Sequence, residues 1–400
     1  MPDPARLLST DRTPPTAGVR LLAALAFAVA SGNGALFALL PELQDRNGLP
    51  TWTLGPVVAA SFVAGLGAQI GLARFADRGH ARRMVLGGLC AACAGALLTG
   101  TATGLPQLVL GRAATGLGAA LAVTAARKLV VVLRPEAVGR ALGSLLVFDI
   151  VGFVLGAPIA AAIATRSSLP VAFGVIAAGI AVLVPAVARV RFPPVPVVVR
   201  RTDERPVLRR LLGRRRLRAA LLLGVATYGA IGVFDTIWAR YLADLGSSPL
   251  VISATLAAFG LPLAVAAPIG GRIADRYGAL RADLVGVIVS VPFMAAYGWS
   301  SSVLVLTGIA VAHCLVDGVN FPATQAAVVA ECDPDEVAAG QGLLAATQQS
   351  TAAVAALVIA PVYGAYGVTV TFGGAAAVMV LAWLGALANL GVGRQRGLRG

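Results

Sequence analysis

Apolar residues run along this chain in stretches close to the length of a bilayer-spanning helix, about 20 residues, broken by short clusters of arginine, aspartate, glycine and proline. A transmembrane barrel would need alternating strands of about 10 residues, and no such alternation is present in the sequence. The pattern predicts twelve spans, at 18–41, 52–75, 84–103, 106–131, 141–164, 170–190, 219–242, 250–271, 283–299, 302–327, 340–362 and 368–391. Pro158, Pro262 and Pro322 fall inside spans. Membrane helices tolerate them because neighbours satisfy the freed carbonyls. The expected fold class is an all-α polytopic membrane protein with twelve transmembrane helices. The stretch "LLAALAFAVASG" (21–32) also has the form of a signal-peptide core, but its apolar run continues to Leu40.

Composition supports this reading. With 58% hydrophobic and 12% charged residues and a mean hydropathy of +0.84, a soluble protein would have no polar surface to present. The formal net charge of +14 raises a nucleic-acid reading. The positive residues sit instead in short loops between spans, which is the pattern of membrane orientation. With the N-terminus cytoplasmic, Lys and Arg fall on inner loops, tails and helix ends, except Arg46, Arg166 and Arg240 outside and Arg112 within a span. Both termini are therefore expected in the cytoplasm and the chain in the plasma membrane. The richness in Arg, Ala and Gly fits a GC-rich bacterial genome. The only histidines are His80 and His313, so no zinc pattern exists, and no metal or cofactor is expected. Cys90 and Cys93 share an apolar span, where small residues serve packing.

The longest inner segment, 191–218, is proline-rich and then strongly basic. It divides the chain into an N-terminal half (1–190) and a C-terminal half (219–400), and reads as a solvated linker drawn to anionic lipid headgroups. The halves repeat. Asp77 and Asp275 lie 198 residues apart, as do Arg20 and Arg218, which open the first and seventh spans. Parallel six-span repeats are a transporter architecture, with the substrate site between the halves near mid-membrane.

Both aspartates stand in charged hinges between the second and third span of their half: Ala73-Arg-Phe-Ala-Asp77-Arg78-Gly-His80, and Gly271-Arg-Ile-Ala-Asp275-Arg276-Tyr-Gly278. These resemble the G-x-x-x-D-R-x-G-R/K-R/K signature of the major facilitator superfamily. The second copy lacks the paired basic residues after Gly278. The first has Ala73 and His80 for the glycines, with Arg82 and Arg83 one place late. The resemblance implies a twelve-helix fold of two pseudo-symmetric halves, with these hinges latching the cytoplasmic side while the outer side is open. Physically, a small residue at 73 or 271 lets helices approach. A boundary aspartate can accept hydrogen bonds from the N-terminus of a facing helix. Plain positive-inside anchoring would explain the arginines but not paired aspartates at one offset.

Arg112, Asp149, Asp235 and Asp317 lie well within spans, and each such charge costs about 2.5–3.5 kcal/mol near the bilayer centre. These four are the candidates for proton coupling. Arg112 and Gly116 resemble the family's R-x-x-x-G motif on the fourth helix, in which the arginine is implicated in coupling. A structural ion pair is the plainer role. In the tenth span His313, Asp317, Asn320 and Thr324 are spaced 4, 3 and 4, on one helical face. That stripe either lines a cavity, with Asp317 exchanging protons beside His313, or bridges helices by hydrogen bonds. Tyr228, Gly232 and Asp235 share a face of the seventh span, with Trp238 nearby. They suit an amphipathic or cationic ligand, or Asp235 simply pairs with Arg112 or Arg240. Asn33 is a further cavity candidate; Gln341 and Gln348 either reach the cavity or bridge helices.

Gly143, Gly152 and Gly156 in the fifth span match part of a motif typical of family antiporters. Pro158 follows one place late, and alanines replace the closing glycines. Gly32 and Pro41 keep two positions of another efflux-associated pattern, with Ala38 for its first proline. The resemblance thus implies a secondary transporter working by alternating access, with small-molecule substrate, protons and membrane lipids as partners, and as a monomer. Proton-coupled efflux of small amphipathic molecules, drugs or metabolites, is the first reading. Uptake of a nutrient by proton symport, or a sensor that has lost transport, are the alternatives. No nucleophile–base set or P-loop suggests an enzyme.

Overall fold

The computed structural model describes residues 15–71, 80–190, 192 and 205–391. The first half comprises α1 (Pro15–Arg46), α2 (Leu54–Gly71), α3 (Ala81–Gly100), α4 (Leu105–Leu133), α5 (Val138–Arg166) and α6 (Leu169–Arg189). A short helix, α7 (Arg205–Gly213), precedes α8 (Arg215–Asp244), α9 (Pro249–Tyr277), α10 (Ala279–Ala296), α11 (Val303–Ala330) and α12 (Val337–Gly391). Among the described residues, eleven helices are long and apolar enough to cross a membrane. The 55-residue α12 is interrupted at Gly367, where φ is 74° and ψ −176°. Its two arms, 337–366 and 368–391, provide the eleventh and twelfth passes. The sequence predicts a loop between these passes; the chain instead reverses at a single glycine, the residue that takes a positive φ without strain.

Local chemistry sets the helix ends. Prolines occupy the first turns of α4, α6 and α9, where the missing N–H has no intrahelical partner to lose. Ser248 and Ser302 cap α9 and α11, their Oγ atoms accepting from Val251 N (3.4 Å) and Val305 N (3.5 Å).

The 198-residue offset governs these boundaries. Arg46 and Asp244 end α1 and α8, Ala81 and Ala279 open α3 and α10, and Leu105 and Val303 open α4 and α11. The turn glycines Gly48 and Gly246, at φ 60° and 80°, keep the same separation. The packing repeats as well, with the contact partners one residue off that separation. A Cβ on Gly34 would strike Phe153 O in α5, and one on Gly232 would lie 2.5 Å from Ala352 O in α12. Close crossings at small residues are how membrane helices gain contact, since apolar burial offers little drive within lipid.

Below, the terminal face is the one where α1 begins and α12 ends. At that face Arg218 Nε donates to Asn389 Oδ1 (2.9 Å), tying the start of α8 to the end of α12. The halves meet from the middle of the bundle to the opposite face. Gly260 packs on Val154, Gly55 on the Ala356 backbone and Gly364 on Thr51. There Arg240 Nη1 also contacts Asp45 Oδ1 at 2.6 Å.

The basic segment departs from expectation. Its 193–204 portion lies outside the described residues, but α7 is docked, with Leu211 fully buried. Arg210 and Arg214 grip the buried Glu336 at 3.2 and 2.7 Å, Arg214 also meets Asp333 at 2.9 Å, and Arg216 meets Glu331 at 2.7 Å. Hydrogen bonding to Asp333, with Glu336 beside it, holds the Arg214 guanidinium above its ordinary range. The end of this segment is thus pinned to the α11–α12 loop rather than solvated throughout.

Candidate functional site

Between the halves, at mid-bundle, lies a cavity of about 230 Å³. Its wall is apolar and rich in aromatic rings. Phe234 stands 4.9 Å from Tyr297 and 5.3 Å from Trp238, and Trp238 stands 5.0 Å from Phe259. Phe37 and Phe153 from the first half close the other side, 6.0 Å apart. Two carboxyls and an imidazole enter this box, Asp235 from α8 and His313 and Asp317 from α11, beside the Tyr297 hydroxyl and the Cys314 thiol. Trp238 is fixed by its own hydrogen bond, Nε1 donating to Thr255 Oγ1 at 3.0 Å.

Arg112 of α4 is buried. Its Nη1 donates to Asn33 Oδ1 at 2.9 Å and its guanidinium lies 4.8 Å from the Phe37 ring centroid. Asp235 is the acid whose charge faces it. Asn33 therefore orients Arg112 and is not among the cavity-lining residues. Tyr228 packs edge-on against Phe321 at 6.2 Å, one turn from the cavity. Asp149 is half-buried on α5, its charge facing Arg127 of α4, also away from the cavity lining.

The stripe on α11 divides in two. His313 and Asp317 reach the cavity, while Asn320 and Thr324 turn into the seam with α10. All four lie within about 60° of one another around α11, so it is their depth along the helix relative to α10 that divides them. A chain of contacts follows the seam. Tyr297 OH lies 3.2 Å from His313 Nδ1, and His313 Nε2 lies 3.7 Å from Asp317 Oδ2. Ser290 Oγ and Asn320 Nδ2 each donate to Asp317 Oδ1 at 3.3 Å, and Asn320 Nδ2 also reaches Ser290 Oγ at 3.2 Å. Thr324 Oγ1 donates to Asp283 Oδ1 at 2.9 Å. Sequence reading missed Asp283 because it stands where arginines give way to an apolar run. It missed Ser290 and Tyr297 because neither carries a charge, and Arg127 because it sits near an inner helix end.

Of the two hinge motifs, Ala73, Asp77 and Arg78 lie outside the described residues. In the second, α9 runs on through Tyr277, and Gly278 turns the chain at φ 90°. One expectation is corrected here. A Cβ on Gly271 would meet nothing within 4 Å, and the close approach is made by its neighbour Gly270, against Val319 Cα at 2.5 Å. Asp275 is exposed and accepts from no helix N-terminus among the described residues, while Arg276 lies over the Tyr277 ring at 5.3 Å. In α5, added Cβ atoms on Gly152 and Gly156 would overlap the α1 backbone at Phe27 and Ser31, whereas Gly143 faces open space. Pro158 follows within the same helix, beside the fully buried Ala157.

The sequence model of the Major Facilitator Superfamily matches residues 21–239 and 220–396. None of the curated proteins matches the sequence. Among solved structures, the chain is similar to a bacterial homologue of the human lysosomal transporter Spinster, in an inward-facing and occupied conformation. The TM-score is 0.77 and the identity 15%, covering 94% of this chain and 96% of that one. The same homologue in an inward-facing, unoccupied conformation gives a TM-score of 0.73 at 14% identity, with 94% and 95% covered. The nucleoside transporter NupG gives 0.75 at 14% identity, with 93% and 99% covered. At such identities the likeness is one of fold.

Proposed function

The chain belongs to the major facilitator superfamily, and we propose that within it this protein is a proton-coupled exporter of small amphipathic molecules. It is an integral membrane transporter whose halves provide alternating access; substrate, direction and coupling ion are our reading. The observation that carries the reading is the cavity itself, in which two carboxylates and an imidazole stand inside an aromatic box. Such a wall takes flat apolar bodies, and its acids suit a polar or cationic end. A sugar or other polyhydroxylated nutrient would need many more hydrogen-bonding groups than this lining offers.

In this reading the arginine-rich terminal face is cytoplasmic, and contact between the halves at the opposite face makes this an inward-facing state. The exposed Asp275 hinge fits such a state, because a cytoplasmic latch is released when the inner side opens. Asp317 exchanges the coupling proton in the cavity, with His313 beside it as tuner and Arg112 holding charge across from Asp235. Protonation removes a charge whose desolvation opposes closure, and so permits the swing between states.

Accumulation of a panel of cationic, neutral and anionic amphipaths, in cells with and without the chain, tests this. Export predicts lower accumulation that a protonophore restores. Higher accumulation would reverse the direction and leave proton-driven uptake, of a nucleoside or another nutrient, as the function.

A further inference from the structure

The seam between α10 and α11 holds one acid that the cavity mechanism does not use. Asp283 is fully buried, one turn into α10. Its Oδ1 accepts from Thr324, and its Oδ2 has no hydrogen-bond partner. No arginine or lysine among the described residues pairs with it. Arg281, two residues away, lines a separate crevice with Tyr277 and Val285. From α11 the seam receives Thr324 and Asn320, and from α12 the Trp383 indole, whose Nε1 donates to Leu284 O at 2.9 Å. The groups that titrate nearer the cavity are Asp317, His313 and Cys314 on α11, Tyr297 at the end of α10, and Asp235 on α8.

Pseudo-symmetry supplies a control for packing. At the 198-residue offset, α3 and α4 form the equivalent seam in the first half. Asp283 corresponds there to Val85, Ser290 to Ala92, Asp317 to Ala119, Asn320 to Ala122 and Thr324 to Ala126. Val85, Ala92, Ala122 and Ala126 are buried like their counterparts, and Gly88 meets Ala122 where Gly286 meets Asn320. The same helix pair therefore packs with alanine and valine at these positions. Helix association does not call for a polar seam, so the polar set in the second half needs another reason.

Three buried polar atoms along it lack hydrogen-bond partners: Asp283 Oδ2, Asn320 Oδ1 and His313 Nε2. An acceptor left unmatched in low dielectric is satisfied by acquiring a proton or by facing one. From Tyr297 to Asp283 the seam covers fourteen residues of α10, about 21 Å at 1.5 Å per residue. That is most of the hydrocarbon thickness of about 30 Å.

We propose that Asp283 is a second proton-exchanging carboxyl on a path separate from the substrate cavity, joined toward Asp317 by Thr324, whose Oγ1 lies 3.0 Å from the Asn320 backbone carbonyl, and by the Asn320 side chain, which meets Ser290 and Asp317. The proton bonds to Asp283 Oδ2 and leaves to water at the terminal face, while the carboxyl alternates between neutral and charged forms and no other bond changes. The proposal deepens the proton-coupled reading and rests on Asp317 as the cavity carboxyl.

The test counts protons directly and needs no substrate. Purified full-length chain in weak buffer with a pH-indicator dye is stepped from acidic to alkaline pH. Asp283→Asn and Asp317→Asn should each release one proton fewer than the unaltered chain, and the double variant two fewer. Thr324→Val, which leaves both carboxyls in place, should keep the count and displace the pH at which one proton leaves. Thermal melting separates these outcomes from misfolding. Release of the full count by folded Asp283→Asn, or an unmoved titration in Thr324→Val, would overturn the proposal. An accumulation assay indifferent to protonophore would instead overturn the export reading and leave this count standing.

Discussion

At the scale of single residues, the cavity contains two acids with different surroundings. Asp317 is hydrogen-bonded by Ser290 and Asn320 and borders the cavity, its side chain 19% exposed. Asp235 faces the buried Arg112. Neutralising them should therefore have different effects. Asp317→Asn keeps an acceptor for both donors, so the melting temperature should hold while protonophore-sensitive transport is lost. Substrate exchange without a pH gradient should survive, and its loss would move Asp317 from coupling to binding. Asp235→Leu leaves Arg112 buried without its facing charge, which should cost up to about 3 kcal/mol of stability. Arg112→Leu in the same chain should recover part of that, as a double-variant cycle of melting curves would report. The spacing of His313, Asp317, Asn320 and Thr324 made their shared face legible in the sequence. Their division between cavity and seam was not, because it depends on where α10 sits. Asp283 was hidden for a related reason: an acid at the edge of an apolar run reads as the edge of the membrane.

At the scale of helices, the positions of the passes were legible because each apolar run is close to one bilayer thickness. The contacts between them were not, since rotating a helix by one residue moves a side chain by 100°. Gly270 and Gly271 illustrate this: the motif singles out Gly271, but Gly270 is the one that touches α11. Glycines at crossings and glycines in open space should respond in opposite ways. Gly232→Ala puts a methyl group 2.5 Å from Ala352 O, a backbone atom that cannot move alone. The expected cost is about 1–3 kcal/mol, seen as a lower melting temperature in detergent. Gly271→Ala has room and restores helix propensity, so stability should stay level or rise by up to about 1 kcal/mol. Equal losses in both would mean that α9 packs against α11 through a face other than the one containing Gly270.

At the scale of the molecule, two six-helix bodies joined by close contact at one face form a two-state device, and the balance lies in what each face can bond. At the closed face Arg240 is held within its own half by Asp244, with Nη2 to Oδ1 at 2.5 Å. Tyr363 OH donates to the other oxygen of Asp244 at 2.7 Å. Arg240 thus reaches across to Asp45 already positioned, and of its two ion pairs only that one must break for the halves to part. The Asp45 side chain is 62% exposed, so solvent screens the pair and limits its worth to about 1 kcal/mol. Asp45→Asn should therefore move the ratio of the two states about fivefold toward the one open at this face. Spin labels on the terminal face, at Arg140→Cys and Arg281→Cys in a chain whose four native cysteines are replaced, would report it as a larger population at short distance. Asp244→Asn should act in the same direction by releasing Arg240 from its position, and combining the two should add little, since both remove one contact. Unchanged distance distributions in Asp45→Asn would place the closing energy in the apolar crossings at Gly55 and Gly260. Enlarging either of those glycines would then shift the distribution where the ion pair had not.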